Sequence, residues 1–201
     1  MRAAVLVCAA AVAALSQQHT HGVEPVLKVL RAEVGERIAD VGAGSGSYTF
    51  PIAKAVGAEG RVYAADIDEK NAVRQLRQRV ERDHAENVEV ILSKPDDPML
   101  PEGKLDALLI VNAYHEIEPY ETMLGRLKAA LKAGGRLVIV DNMPGRTRGQ
   151  PRDVQVKNHI IAPELVEAEL KQAGFQVESR NDDLDENPAM DHTRWAIVAR
   201  R

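Results

Sequence analysis

Short apolar runs alternate with longer amphipathic stretches from residue 37 to the end of the chain. Residues 37–41, 61–67, 88–92, 105–111 and 136–141 are rich in Val, Ile, Leu and Ala and are bounded by turn-forming residues, the pattern of buried strands. Between them, residues 47–56 read as a helix. Residues 69–84 read as a second, charged one, with Val73, Leu76 and Val80 at helical spacing. Residues 120–132 predict a helix with Leu124, Leu127 and Leu131 inward, stopped by Gly134-Gly135. Pro163 opens another, which Gly174 ends, and residues 25–32 predict a short helix with Val26, Leu27, Val29 and Leu30 on its apolar face. Residues 175–179 and 195–199 read as the last strands, an antiparallel pair joined through the acidic stretch 182–186. The alternation predicts an α/β fold, a mostly parallel sheet with helices on both faces.

The most informative segment is Ile38-Ala39-Asp40-Val41-Gly42-Ala43-Gly44-Ser45-Gly46-Ser47, a strand that breaks into a glycine loop ahead of a helix. Glycine lets the backbone turn tightly and approach a ligand, and the unpaired amides of the following helix face the same place. A dinucleotide fingerprint needs G-x-G-x-x-G, but its third glycine position holds Ser47, and Asp40 stands two residues before the first glycine. A carboxylate there suits an ammonium group better than a pyrophosphate. Asp66 ends the second strand about twenty residues beyond the loop, where a carboxylate grips ribose hydroxyls, and Ile67 is placed to lie against a flat base.

With these residues the chain resembles the class I S-adenosylmethionine-dependent methyltransferases over residues 26–200. The resemblance is carried by segments 38–49, 62–68, 105–117 and 131–141. It is especially similar to a bacterial group of predicted methyltransferases with a Pro-Asp-Asp-Pro loop, here residues 95–98, and a Tyr-His pair, here Tyr114-His115. The resemblance implies a doubly wound, Rossmann-like sheet of seven strands with an antiparallel last strand, and S-adenosylmethionine at the carboxyl ends of the strands. It further implies that Asp40 and the loop residues Gly42, Ala43, Gly44 and Gly46 hold the methionine portion, and that Asp66 and Ile67 hold the ribose and the base. Many members carry an acid directly after the third strand, near the adenine amino group. Lys94 stands there in this chain, which leaves Asp96 or Asp97, one turn further on, or else backbone groups, to do that work. Asn112, at the end of the fourth strand, faces the cofactor and the reaction zone, with Tyr114 and His115 next to it as candidate catalytic groups. A histidine there can take a proton from an acceptor hydroxyl or amine.

Composition narrows the acceptor. The formal net charge is -4, and the chain holds two Phe, four Tyr and one Trp, so neither a basic stripe nor a base-stacking platform is present and nucleic acid is disfavoured. A small-molecule acceptor is the expectation. The segment 142–161 carries Arg146, Arg148, Arg152, Lys157 and His159 and only one acid, Asp153, which raises the idea of a basic loop orienting an anionic acceptor. Cys8 is the only cysteine, and His19 and His21 lack a third ligand nearby, so no metal site is expected.

Arg2, the apolar run 3–15 and Ser16 form the pattern of an export leader over residues 1–16, too short to span a bilayer comfortably, from which a single domain over 17–201 outside the cytoplasm is expected; the alternative is an apolar N-terminal helix packed on a cytoplasmic domain. Two rivals remain: a non-catalytic adenosyl-ligand-binding protein of the same fold, and a nicotinamide-dependent oxidoreductase.

Overall fold

The computed structural model describes residues 22–187 and 192–201. The leader pattern at 1–16, Cys8, His19 and His21 lie outside the described residues. The elements run α1 (Glu24–Leu30), β1 (Arg37–Val41), α2 (Thr49–Val56), β2 (Arg61–Asp66), α3 (Arg74–Asp83), β3 (Val88–Leu92), β4 (Leu105–Val111), α4 (Tyr120–Ala130), β5 (Leu131–Asn142), α5 (Arg152–Val156), α6 (Pro163–Gln172), β6 (Gln176–Asn187) and β7 (His192–Arg200). One seven-stranded sheet has the order β3-β2-β1-β4-β5-β7-β6. The first five strands pair in parallel, and β7 enters antiparallel between β5 and β6.

Strand alternation sorts the central residues onto two faces. Leu108, Ile110, Leu137, Ile139 and Ile197 pack with Leu124, Leu127, Val166 and Leu170 of α4 and α6. Ala107, Leu109, Val138 and Val140 pack on the other face with Leu30, Ile52, Val56 and Leu76 of α1 to α3. Among the described residues no helix is long and apolar enough to cross a membrane.

Three boundaries depart from the sequence pattern. The helix α4 ends at Ala130, not at Gly134-Gly135, because buried Leu131 already pairs with Leu105 in the sheet. The second predicted helix starts as a π-turn (Glu69–Val73), with the side chain of Asp68 accepting the amide of Asn71 at 3.1 Å. The acidic stretch 182–186 is not the connection between the last strands. It is the second half of β6, which passes a register shift between Asn181 and Asp185.

Candidate functional site

The exits of β1, β2 and β4 meet at one end of the sheet, as expected of an open α/β sheet. The amides of Gly42 and Ala43 both donate to the carbonyl of Ala65, at 2.9 and 3.2 Å, which clips the loop onto the end of β2. Gly42 adopts φ +74°, and a Cβ there would stand 2.5 Å from the Cβ of Ala113. Gly46, at φ +86°, has the Phe50 ring 2.6 Å from where its Cβ would be. Both positions therefore require glycine on conformation and on space.

The Asp66 carboxylate is held at both ends. Its Oδ2 accepts the amide of Gly44 at 2.8 Å and its Oδ1 accepts the amide of Asp68 at 2.9 Å. Each oxygen keeps a further lone pair for a ligand hydroxyl. Asp40 is different: it is 2% exposed and accepts the Thr49 hydroxyl at 2.6 Å. Burial pushes its carboxyl up to about 6, opposed by the Thr49 hydrogen bond and aided by the nearby negative charge of Asp66.

A cavity of about 300 Å³ opens beside this loop. Gly42, Gly44, Asp66, Ile67 and Asn112 line it, joined by Ser93, Lys94 and Pro95 on one side and Glu116, Ile117, Glu118 and Met123 on the other. Ile67 is 61% exposed, a large apolar side chain left uncovered at the cavity. Asn112 sits in the left-handed region at φ +51°, and its Oδ1 accepts from the Asn142 amide. Asp40, Ala43 and Gly46 are not part of the wall. Asp96 is exposed in the turn closed by Lys94 and Asp97, whose amides and carbonyls bond each other at 2.8 and 3.3 Å.

Tyr114 and His115 also stand behind the wall, in a 3-10 turn (Tyr114–Glu116). The Tyr114 hydroxyl donates to Glu169 Oε2 at 2.7 Å, and burial together with that carboxylate keeps the phenol protonated. Glu169 also accepts Arg152 Nε at 2.9 Å, and its own carboxyl is raised by burial. His115 is 3% exposed, with Nδ1 at 2.9 Å from Oδ2 of Asp141. Asp141 is fully buried and accepts the Asn142 amide at 2.7 Å. Sequence reasoning had not used Asp141, although an acid at the exit of β5 is visible in the chain. Glu169 carries no local signal.

Most of the cations in segment 142–161 are bound to acids. Arg148 pairs with Glu164 and Asp182, Arg152 with Glu118 and Glu169, and Lys157 with Asp153. Arg152 also lies 4.4 Å above the Tyr120 ring. This network fastens the segment to α6 and β6, so the idea of a basic loop reserved for an anionic acceptor loses its main residues.

The comparisons with known proteins agree with this geometry. A family model described as "Methyltransferase domain" matches residues 38–135. A SAM-dependent methyltransferase from Aquifex aeolicus superposes with a TM-score of 0.73 at 27% identity, covering 88% of each chain. The demethylmenaquinone methyltransferase of Listeria welshimeri is 27% identical over 131 residues, 63% of this chain and 55% of that protein. This chain therefore spans about half the length of the curated relatives it matches. Burkholderia thailandensis 1,6-didemethyltoxoflavin-N1-methyltransferase, solved with S-adenosylhomocysteine, shares the fold at a TM-score of 0.69 and 18% identity, covering 91% of this chain and 78% of that one. Sheet order, glycine loop and strand-end carboxylate are those of the class I S-adenosylmethionine-dependent methyltransferase fold, which this chain shares with these structures. The cradle fits S-adenosylmethionine, the cofactor of proteins with that fold: Gly42 and Gly44 line the cavity without side chains, and the Asp66 carboxylate beside them keeps lone pairs for ribose hydroxyls.

Proposed function

We propose that this chain transfers the methyl group of S-adenosylmethionine to a small-molecule acceptor held at the Glu116–Met123 side of the cavity. The observation that carries this reading is the Asp66 carboxylate, fixed by the Gly44 amide beside a cavity of about 300 Å³, a volume suited to small ligands. S-adenosylmethionine supplies a methyl group already activated on a sulfonium, so the chain's task is chiefly to hold two reactants in line. Asp66 receives the ribose hydroxyls, Ile67 covers one face of the base, and Ser93 to Pro95 border its edge. The loop from Gly42 to Gly46 holds the methionine end, with Asp40 behind it as a buried negative charge. Asn112 stands between the two reactants.

An acceptor hydroxyl or amine loses a proton as it gains the methyl group. Glu116 on the wall meets that proton and His115 behind it receives it, with Nε2 3.7 Å from Glu116 Oε1: Asp141 accepts the His115 Nδ1–H, which selects the tautomer with a lone pair on Nε2. Demethylmenaquinone, the acceptor in the name of the Listeria relative, is one compound to test. The pattern at residues 1–16 supports export of the chain, checked by fractionation and by the N-terminal mass of the mature protein.

Calorimetric titration with S-adenosylmethionine, S-adenosylhomocysteine and NADH tests the cofactor. Micromolar binding of the two adenosyl compounds and none of NADH is expected. Silence from both adenosyl compounds overturns the proposal. Transfer of a labelled methyl group to an acceptor panel then separates an enzyme from a protein that only binds.

A further inference from the structure

His159 lies 43 residues beyond Glu116, yet its Nδ1 is 3.3 Å from Glu116 Oε1. The same oxygen lies 3.7 Å from His115 Nε2. Two imidazole nitrogens and a carboxylate oxygen thus gather within 4.8 Å of one another. Ligands about 2.0–2.2 Å from one tetrahedral zinc ion stand roughly 3.3–3.6 Å apart, close to these spacings. The two rings meet edge to face, with centroids 5.8 Å apart and planes at 81°, so they are not stacked against each other.

An exposed ion pair between Glu116 and His159 would explain half of the arrangement. It does not explain His115, which is almost fully buried and still presents Nε2 to the same carboxylate. Its Nδ1 is held by Asp141, and Asp141 by the Asn142 amide. A histidine whose rear nitrogen donates to a buried carboxylate is the arrangement that orients metal-binding imidazoles and strengthens them as ligands. Glu116 belongs both to this cluster and to the cavity wall.

We propose that His115 Nε2, Glu116 and His159 Nδ1 bind one divalent ion of the zinc class at the rim of the cavity, with a remaining position open to water or an anionic oxygen. Three protein ligands with an open position are the composition of a zinc site that acts on a ligand. Metal binding stands on this cluster alone, and its use in methyl transfer rests on the function proposed above. At one nitrogen the two roles exclude each other. With the ion in place His115 is a ligand, the acceptor oxygen binds the ion as an anion, and its proton passes to water. Without the ion His115 receives that proton by way of Glu116.

The test is zinc titration of the full chain against a competing chelator, with cobalt as a visible-absorption probe of the ligand set. His19-Thr20-His21 is a separate pair of imidazoles, so the double variant His19→Ala/His21→Ala is run alongside. One ion per chain is expected, kept in that double variant. His159→Ala and Glu116→Gln should each weaken it by at least the roughly 10–100-fold that losing even an outer partner costs. Both side chains are exposed (73% and 64%), so unchanged melting curves will show that these variants fold. Binding that survives in both variants, or disappears with His19 and His21, overturns the proposal. S-adenosylhomocysteine is titrated on the same samples. Its binding without zinc uptake defeats the metal site alone, and zinc uptake without its binding defeats the cofactor reading alone.

Discussion

Gly42 and Ala113 touch across the exits of β1 and β4 so closely that a Cβ on Gly42 would stand 2.5 Å from that of Ala113. The glycine loop and the start of the acceptor side are therefore one packed unit. Gly42→Ala adds an unfavourable left-handed conformation, about 1–2 kcal/mol, to a steric overlap worth about 1–3 kcal/mol. A lower melting temperature and weaker S-adenosylhomocysteine binding are expected together. Wild-type values for both would show that the loop can shift freely from β4.

Asp66→Ala removes the carboxylate that both orders the loop and awaits the ribose. Cofactor affinity should fall by about 1.5–3 kcal/mol, the range for hydrogen bonds to a charged group. Isothermal titration measures it directly, and unchanged affinity would strip Asp66 of its proposed role.

Asp40 gives the protein a pH dependence of its own. Its folded carboxyl titrates at about 6 against 3.8 for the ordinary group, so the native state binds this proton more tightly than the unfolded state. Its contribution is most favourable below about 4 and is lost as pH rises through about 6. Relative to Asp40→Asn, wild-type stability should decline across that window by on the order of 3 kcal/mol. Urea unfolding of both proteins at several pH values checks this, and parallel curves would contradict it. A cationic ligand group brought near Asp40 should also expel the proton near pH 6, seen as buffer-dependent binding enthalpy.

Tyr114 is bound to Glu169 behind the cavity, and its removal should be felt as stability. Tyr114→Phe leaves a buried carboxylate short of one donor, a cost of about 1–3 kcal/mol. Cofactor affinity and methyl transfer should hold. A loss of turnover at unchanged stability would return the phenol to the chemistry.

Local features of the chain were legible because they act locally. The apolar runs at 37–41, 61–66 and 105–111 are strands, and glycines at 42 and 46 occupy positive φ. Asp66 follows from its place at the end of β2. The rest depends on residues that only the fold brings together. Asp141 meets His115 across 26 positions, Glu169 meets Tyr114 across 55, and His159 reaches Glu116 across 43. No spacing in the chain announces such pairs. The basic segment misled for the same reason, since the acids that bind Arg148 and Arg152 come from α6, β6 and the turn before α4.

The acidic second half of β6 has one more consequence. This strand is the outer edge of the sheet, twelve residues long, with one side of its backbone unpaired by any neighbour in the order. An edge of that length is a template onto which another copy of the chain could add a strand. Asp182 and Asp185 are tied to Arg148, Arg180 and Arg194, while exposed Asp183 keeps a charge on the strand, so an added edge would have to bury charged groups and ion pairs. Residues that look like a solvent-loving connection thus act as a guard against aggregation, set on the side of the sheet farthest from β3.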